Sequence, residues 1–469
     1  MKQLVVFILL LTTFFSCKTD ENSCGQAYLG GEIINPNNDY VLLYNDMAFI
    51  DTLYLGEDNR FSYKIENLSP GLHRFYHGGE YQVVIIEPTD SIMIRLNTFD
   101  FDESLVFSGN GSKKNNYLIN MFLSQEKEER NIYEFSKLNP IAFLKKLDSI
   151  KAKKYNAFNT FTEKYPTSEL LKKLITVGID YSHYTNKERY PLSHFGSNNP
   201  INLDSLPQGY YDFRKNIDYN DEDLIEYYPY YVLLFNNLNN LASEKYFAES
   251  GSSFLIRSNI DYNLNKLELV DDLVHSDIIK NIILKYSTRN FLSNSASFED
   301  SKAMYNSYID KNTNKANSEY ITSLFNTLKR LKPGNLLPDI DVLNYKNKVN
   351  TLHNIITKPT ILYFWSNANK YYFKRSHTKV TELQKTHPYI NFISINVDAN
   401  NTSVWKRLLK QNNCSLIQEY RFRNPQVAKK LLAIQYINKV IVVDRNNTII
   451  SSNANMFDMD FNALLQGLK

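Results

Sequence analysis

Cysteine is scarce, with three in 469 residues, at positions 17, 24 and 414. That is too few to staple a chain of this length as a disulfide framework. An excess of either charge is also lacking: 53 Lys plus Arg stand against 50 Asp plus Glu, a net of +3. Such a balance gives no strong field to draw in a polyanion, so no nucleic acid partner is expected. The N-terminal apolar run Leu4 to Phe15 is about a dozen residues, short of the roughly 20 that span a bilayer as a helix. Phosphate-binding loops, His-Glu-x-x-His and usable pairs of catalytic carboxylates are missing, and no cofactor or metal site is expected. What is present is a chain 43% hydrophobic and 22% charged. It has apolar surface enough to offset ordering entropy, which excludes a disordered or collagen-like chain, and its length suits two to four domains.

Lys2 followed by the run Leu4 to Phe15 reads as a signal peptide over residues 1–16. Phe14-Phe15-Ser16-Cys17 places a small residue directly before a cysteine, with polar Lys18-Thr19-Asp20-Glu21 after it. This resembles a bacterial lipobox. The resemblance implies cleavage before Cys17, lipid attachment to its thiol, and a tether over 17–25 that holds the chain to the membrane. A secretory signal with an incidental cysteine is the alternative. Asp20-Glu21 is similar to signals that send some Gram-negative lipoproteins to the outer face of the outer membrane. The expected location is therefore the bacterial cell envelope, lipid-anchored at the outer membrane, with the face left open.

Three regions follow. Residues 26–112 carry short β-rich runs (Tyr40 to Tyr44, Phe61 to Ile65, Tyr81 to Ile86, Ser91 to Leu96) between turn clusters, which predicts a small β-sandwich or barrel. The order of Gly31-Glu32-Ile33, Asp51-Thr52, Arg60-Phe61, Pro70-Gly71, Glu87 to Ser91 and Ser108 to Ser112 resembles an uncharacterised β domain that often precedes thioredoxin-like domains in envelope lipoproteins. Residues 113–331 change to helical period. Thr167 is placed as the cap of a helix bearing Leu170, Leu171, Leu174, Ile175 and Ile179, and Ile321, Leu324, Phe325, Leu328 and Leu331 share one face of another. The Tyr227 to Tyr231 group reads as core packing ahead of a sugar-stacking surface.

Residues 332–469 alternate between apolar strands and amphipathic helices, which predicts an α/β sheet covered on both faces. Thr360 to Phe364 and Ile390 to Val397 are strands, and Tyr372 to Lys385 and Thr402 to Gln411 are helices. Lys439 to Val443 and Thr448 to Ser451 form a hairpin before a last helix. Leu337-Pro338-Asp339, Phe364-Trp365-Ser366, Asn396-Val397-Asp398, Trp405 and Val442 to Asn446, in this order and spacing, resemble the thioredoxin-like domain of TlpA-type thiol-disulfide oxidoreductases. The resemblance covers about Leu331 to Lys469. The expected fold class is thus multidomain α+β: a β-sandwich-like domain, a helical middle and a C-terminal thioredoxin-like domain.

Members of that family carry a Cys-x-x-Cys pair at the start of the helix after Phe-Trp, where the helix N-terminus lowers the first thiol's pKa. The family spacing puts Asn369 and Tyr372 at those two positions, and Asn438 where a cis-proline faces them. Neither Asn nor Tyr exchanges thiols, and the bond before Asn438 is expected to be trans. The resemblance therefore implies a retained fold with its redox chemistry lost. It leaves Trp365, Asn369, Lys370, Tyr372, Lys374 and Arg375 as candidates to face a peptide, protein or small ligand. Lys370, Lys374, Arg375, His377 and Lys379 read either as an anion site at the helix start or as a solvated face. Two alternatives stay open: a thiol-disulfide oxidoreductase or peroxidase-like enzyme using Cys414 or a partner's thiol, and an accessory lipoprotein of an outer-membrane uptake system. Cys24 and Cys414 are either paired or two free thiols. His73 and His77 fit a loop or strand better than a metal site.

Overall fold

The computed structural model describes residues 25–45, 48–196, 198, 200, 203–295, 297–398 and 402–468. Cys17 and Cys24 lie outside them. The chain divides into two compact units: residues up to Glu244 with Ser252–Phe254, and Lys245–Gly251 with Leu255–Lys469. The division falls inside the helical middle that the sequence presents as one region.

In the first unit the strands among the described residues are β1 (Ala27–Ile34), β2 (Tyr40–Asn45), β3 (Ala48–Tyr54), β4 (Arg60–Ile65), β5 (Gly71–His77), β6 (Glu80–Ile86), β7 (Ser91–Asn97) and β8 (Val106–Asn110). They form two four-stranded sheets, ordered β4-β1-β7-β8 and β3-β2-β5-β6. Alternation along β7 sends Ile92, Ile94 and Leu96 inward, where they share one core cluster with Val41, Leu43, Phe75, Val84 and Ile86 of the other sheet. The two inner faces make a β-sandwich. His73 and His77 both lie on β5 and are buried. His77 is tied by Nδ1 to the Tyr40 carbonyl at 2.9 Å and accepts from the Asn37 N–H at 3.0 Å through Nε2. These are structural bonds.

Three long helices follow, α1 (Ser112–Ser136), α2 (Pro140–Lys164) and α3 (Glu169–Phe195), and then α4 (Tyr228–Ser250). Asn139 caps α2 ahead of Pro140 by accepting from the Ala142 N–H. Ser168, not Thr167, caps α3, accepting from the Leu171 N–H at 3.2 Å. Both Ser and Thr can cap, so type alone did not separate adjacent candidates. At Gly178 the Tyr227 hydroxyl takes up the space a side chain would fill. Tyr227 and Tyr230 are buried and Tyr190 stacks on Phe143 at 4.0 Å, whereas Tyr228 is exposed and Tyr231 half-buried, so the Tyr227 to Tyr231 group is only partly core material. A charged cluster crosses that core. Arg214, on a short 3-10 turn (Asp212–Asn216), donates to both carboxylate oxygens of fully buried Glu188 at 2.8 Å. Asn237 and Asn240 of α4 donate to the same carboxylate at 2.8 and 2.7 Å.

The second unit opens with α5 (Ile260–Leu273), α6 (Asp277–Asn294), α7 (Phe298–Lys311) and α8 (Lys315–Arg330), each begun by a side-chain cap: Asn259, Ser276, Ser297 and Asn314. Then come β9 (Asp341–Asn344), β10 (Val349–Thr351), α9 (Leu352–Ile355), β11 (Thr360–Trp365), α10 (Lys370–Thr386), β12 (Asn391–Asn396) and α11 (Thr402–Gln411). The chain closes with β13 (Glu419–Phe422), α12 (Pro425–Leu431), β14 (Val440–Val443), β15 (Ile449–Ala454) and α13 (Phe461–Gln466). The seven-stranded order is β10-β9-β13-β12-β11-β14-β15. β11, β12 and β13 run parallel and β14 antiparallel to β11. Every residue of β11, β12 and β14 is buried, as covering a sheet on both faces requires. Among the described residues no helix is long and apolar enough to cross a membrane.

Candidate functional site

The end of β11 and the start of α10 carry the positions where the sequence places the family's chemistry. Asp398, just beyond β12, organises the turn between them. Its carboxylate accepts from the Ser366 hydroxyl at 2.7 Å and the Asn367 N–H at 2.6 Å, and Asn396 donates to it at 3.2 Å. That shapes the turn so that Asn369 arrives as the N-cap of α10.

Asn369 is exposed, and its side-chain oxygen accepts from the Tyr372 N–H at 2.9 Å. A carboxamide therefore satisfies one of the free backbone donors that would otherwise stabilise a thiolate at this helix start. Tyr372 is buried, with its ring edge against Phe457 at 6.1 Å between centroids. Its hydroxyl has no hydrogen-bond partner, and burial pushes the phenol up to about 12 against the opposing pull of Arg375. Arg375 lies over the other ring contact of this corner, 4.2 Å from the Phe457 centroid.

Trp365 does not face a ligand as expected. It is fully buried, donates from its indole N–H to the Ser394 hydroxyl at 2.8 Å, and packs on Phe373. A strand inside a doubly covered sheet points its last residue into one of the two layers. Tyr372 is likewise a core side chain. Lys370, Lys374 and Arg375 are exposed beside Tyr371, which is 74% exposed. The charged cluster divides: His377 turns inward, and Lys379 pairs with Glu382 at 3.9 Å.

No cis peptide bond occurs among the described residues, so the bond preceding Asn438 is trans. Asn438 is exposed on a loop held by the helical part of its own unit: the Tyr320 hydroxyl donates to Gln435 at 2.9 Å and the Tyr436 hydroxyl to Asn290 at 3.4 Å. Next to it, Lys439 is buried and donates to the Ala433 carbonyl at 3.2 Å. Burial pushes its ammonium down to about 7.

Among the described residues Cys414 has no disulfide partner; Cys24 lies outside them. Cys414 packs against the cluster of Trp365, Phe373, Trp405, Leu408 and Leu409. Burial, reinforced by the Glu419 carboxylate, pushes it up to about 11. Near neutral pH it is a thiol and a poor nucleophile.

One pairing escaped the sequence. His377 Nε2 lies 3.0 Å from the Glu419 carboxylate, which sits on β13, and both line a cavity of about 460 Å³. His377 was visible as part of a basic cluster, but nothing in the sequence joined it to a glutamate 42 residues on. In the first unit a second cavity, about 450 Å³, is lined by Tyr81, Phe122 and Tyr228 with Glu80, Asp102 and Glu126 among its carboxylates.

A buried parallel core, a helix starting beside Phe364-Trp365 and a closing hairpin are the thioredoxin arrangement. A family profile described as thioredoxin-like matches residues 357–449. This chain carries a thioredoxin-like domain. Solved structures similar to it include a provisionally named thiol-disulfide oxidoreductase from Bacteroides vulgatus, 21% identical over 30% of this chain and 99% of that one, with a TM-score of 0.28. The C-terminal domain of another such protein from Bacteroides thetaiotaomicron is 20% identical over 30% and 97%, TM-score 0.26. A provisionally named thiol:disulfide interchange protein from Chlorobium tepidum is 18% identical over 29% and 94%, TM-score 0.25. No curated protein matches the chain.

Proposed function

We propose that this is a lipid-anchored protein of the bacterial cell envelope whose thioredoxin-like domain has exchanged redox catalysis for binding. The observation that carries the reading is the start of α10. Asn369 caps the helix where the family's nucleophilic thiol belongs, and Tyr372 fills the resolving position with a ring packed on Phe457. The raised pKa of Cys414 supports the same reading. A peptide, protein or small ligand is bound at the exposed face formed by Asn369, Lys370, Lys374 and Arg375.

The test is an insulin-reduction or disulfide-exchange assay on the mature chain. The expected result is no turnover above a protein-free control. Turnover that disappears in Cys414→Ser would overturn the binding reading in favour of an enzyme. For the anchor, incorporation of labelled palmitate into the wild-type chain and its loss in Cys17→Ala is expected; equal labelling of both would rule out attachment at Cys17.

A further inference from the structure

The cavity beside α10 shares Lys374 with the exposed face of Asn369, Lys370 and Arg375 but none of the other three. Lys374, His377, Thr378, Thr381 and Gln384 border it from the helix, and residues 412–415 with Gln418 and Glu419 border it from the chain leading into β13. These helix positions follow the three-and-four spacing that puts side chains on one face.

Glu419 is the unusual member. Its side chain is only 4% exposed. Oε1 meets His377 Nε2 at 3.0 Å, while Oε2 is buried with no hydrogen-bond partner. A buried carboxylate oxygen left without a donor is costly. His377 Nδ1 is committed to the Phe373 carbonyl at 2.8 Å, so that nitrogen carries a proton. Ser394 Oγ lies 3.4 Å from the same Nε2, and Oε2 remains an acceptor.

The missing partner is therefore a hydrogen-bond donor. A cation meets the Lys374 ammonium at the rim; an anion meets the lone pairs of Oε2. A neutral hydroxyl meets neither penalty. The rest of the lining agrees: Gln384, Asn412, Asn413, Gln418 and the Thr378, Thr381 and Ser415 hydroxyls offer donors and acceptors without charge, and Phe373 and Phe392 offer apolar surface. The volume, about 460 Å³, is in the range of small-ligand pockets. We propose that this cavity binds a neutral polyhydroxylated molecule of monosaccharide size, with Glu419 Oε2 accepting from one of its hydroxyls.

The experiment is titration calorimetry on the mature chain with glucose, galactose, mannose and myo-inositol at about millimolar concentration, and with putrescine and acetate as cationic and anionic probes. The expected result is binding of at least one of the neutral polyols. Glu419→Gln weakens it by several-fold, up to about tenfold, the worth of one hydrogen bond. Thr381→Phe, on the exposed helix face, abolishes it by filling the cavity without touching the His377 pair. Circular dichroism and Tm check that both variants fold. Unchanged affinity in a folded Thr381→Phe would overturn the location. Binding of putrescine or acetate alone would overturn the ligand class, and binding of none of the probes would overturn the proposal. Substitutions at Asn369 or Lys370 leave polyol binding unchanged, so this site and the α10 face fail separately.

Discussion

Single residues decide the chemistry of this chain because each chemical position is occupied by a side chain with another task. Asn369 caps, Tyr372 packs, and Cys414 is held protonated. Lys439 shows what such burial does to stability. In the unfolded chain its ammonium keeps its proton up to about pH 10.4; in the folded protein it releases it near 7. Between those values the unfolded state binds more protons, so this residue's contribution makes stability rise with pH; below the folded value both states are charged and the burial penalty is complete. Lys439→Met should raise stability most at about pH 6, by a few kcal/mol, with the gain shrinking as pH approaches 10. The Ala433 carbonyl keeps its bond from the Gln435 N–H, so the substitution strands no acceptor. Tm measured against pH for both proteins checks this; a pH-independent difference would contradict it.

At the scale of elements, the Glu188 cluster joins α3, the 3-10 turn of Arg214 and α4 through one buried carboxylate. Removing the Glu188 carboxylate strips the Asn237 amide of its buried acceptor and leaves Arg214 with Glu244 alone, at 3.0 Å. Glu188→Ala is expected to cost about 3–5 kcal/mol in urea denaturation. A loss below about 1 kcal/mol, the worth of a surface pair, would show that the cluster does not hold the helices together.

Elements also set what could be read in advance. Phe364-Trp365, Asn396 to Asp398 and Val442 to Asn446 are local strings, and each does local work: Asp398 orders the turn before α10, and Asp444 accepts from the Asn446 and Thr448 N–H groups at 2.8 Å to close the last hairpin. That made the thioredoxin-like end legible. The sequence reading passed over β13, since four residues led by a glutamate do not look like a buried strand, and with it Glu419 and the cavity. It placed Trp365 at a surface because order along the chain says which strand ends near the site but not which way its last side chain points.

At the scale of the molecule, the helical middle is shared between two units, each with its own core. α4 carries the division, and a continuous helix gives no punctuation for a sequence to reveal. The long α1, α2 and α3 belong with the β-sandwich, while α5 to α8 belong with the thioredoxin-like sheet. Two cores predict two transitions in differential scanning calorimetry. Glu188→Ala should lower one transition and leave the other in place; a single transition shifting as a whole would mean that the units unfold together.

The plugged start of α10 bears on reversibility. Placing cysteine at position 369 removes a cap worth about 1 kcal/mol. Cysteine at 372 exchanges a ring packed on Phe457 for a much smaller side chain, with a cavity penalty of about 3 kcal/mol. Either single step yields a less stable protein with no working dithiol, and the double step still lacks the proline at 438. On the proposed binding reading, the route back to a redox pair runs downhill in stability before any activity returns, so this corner of the fold acts as a one-way valve.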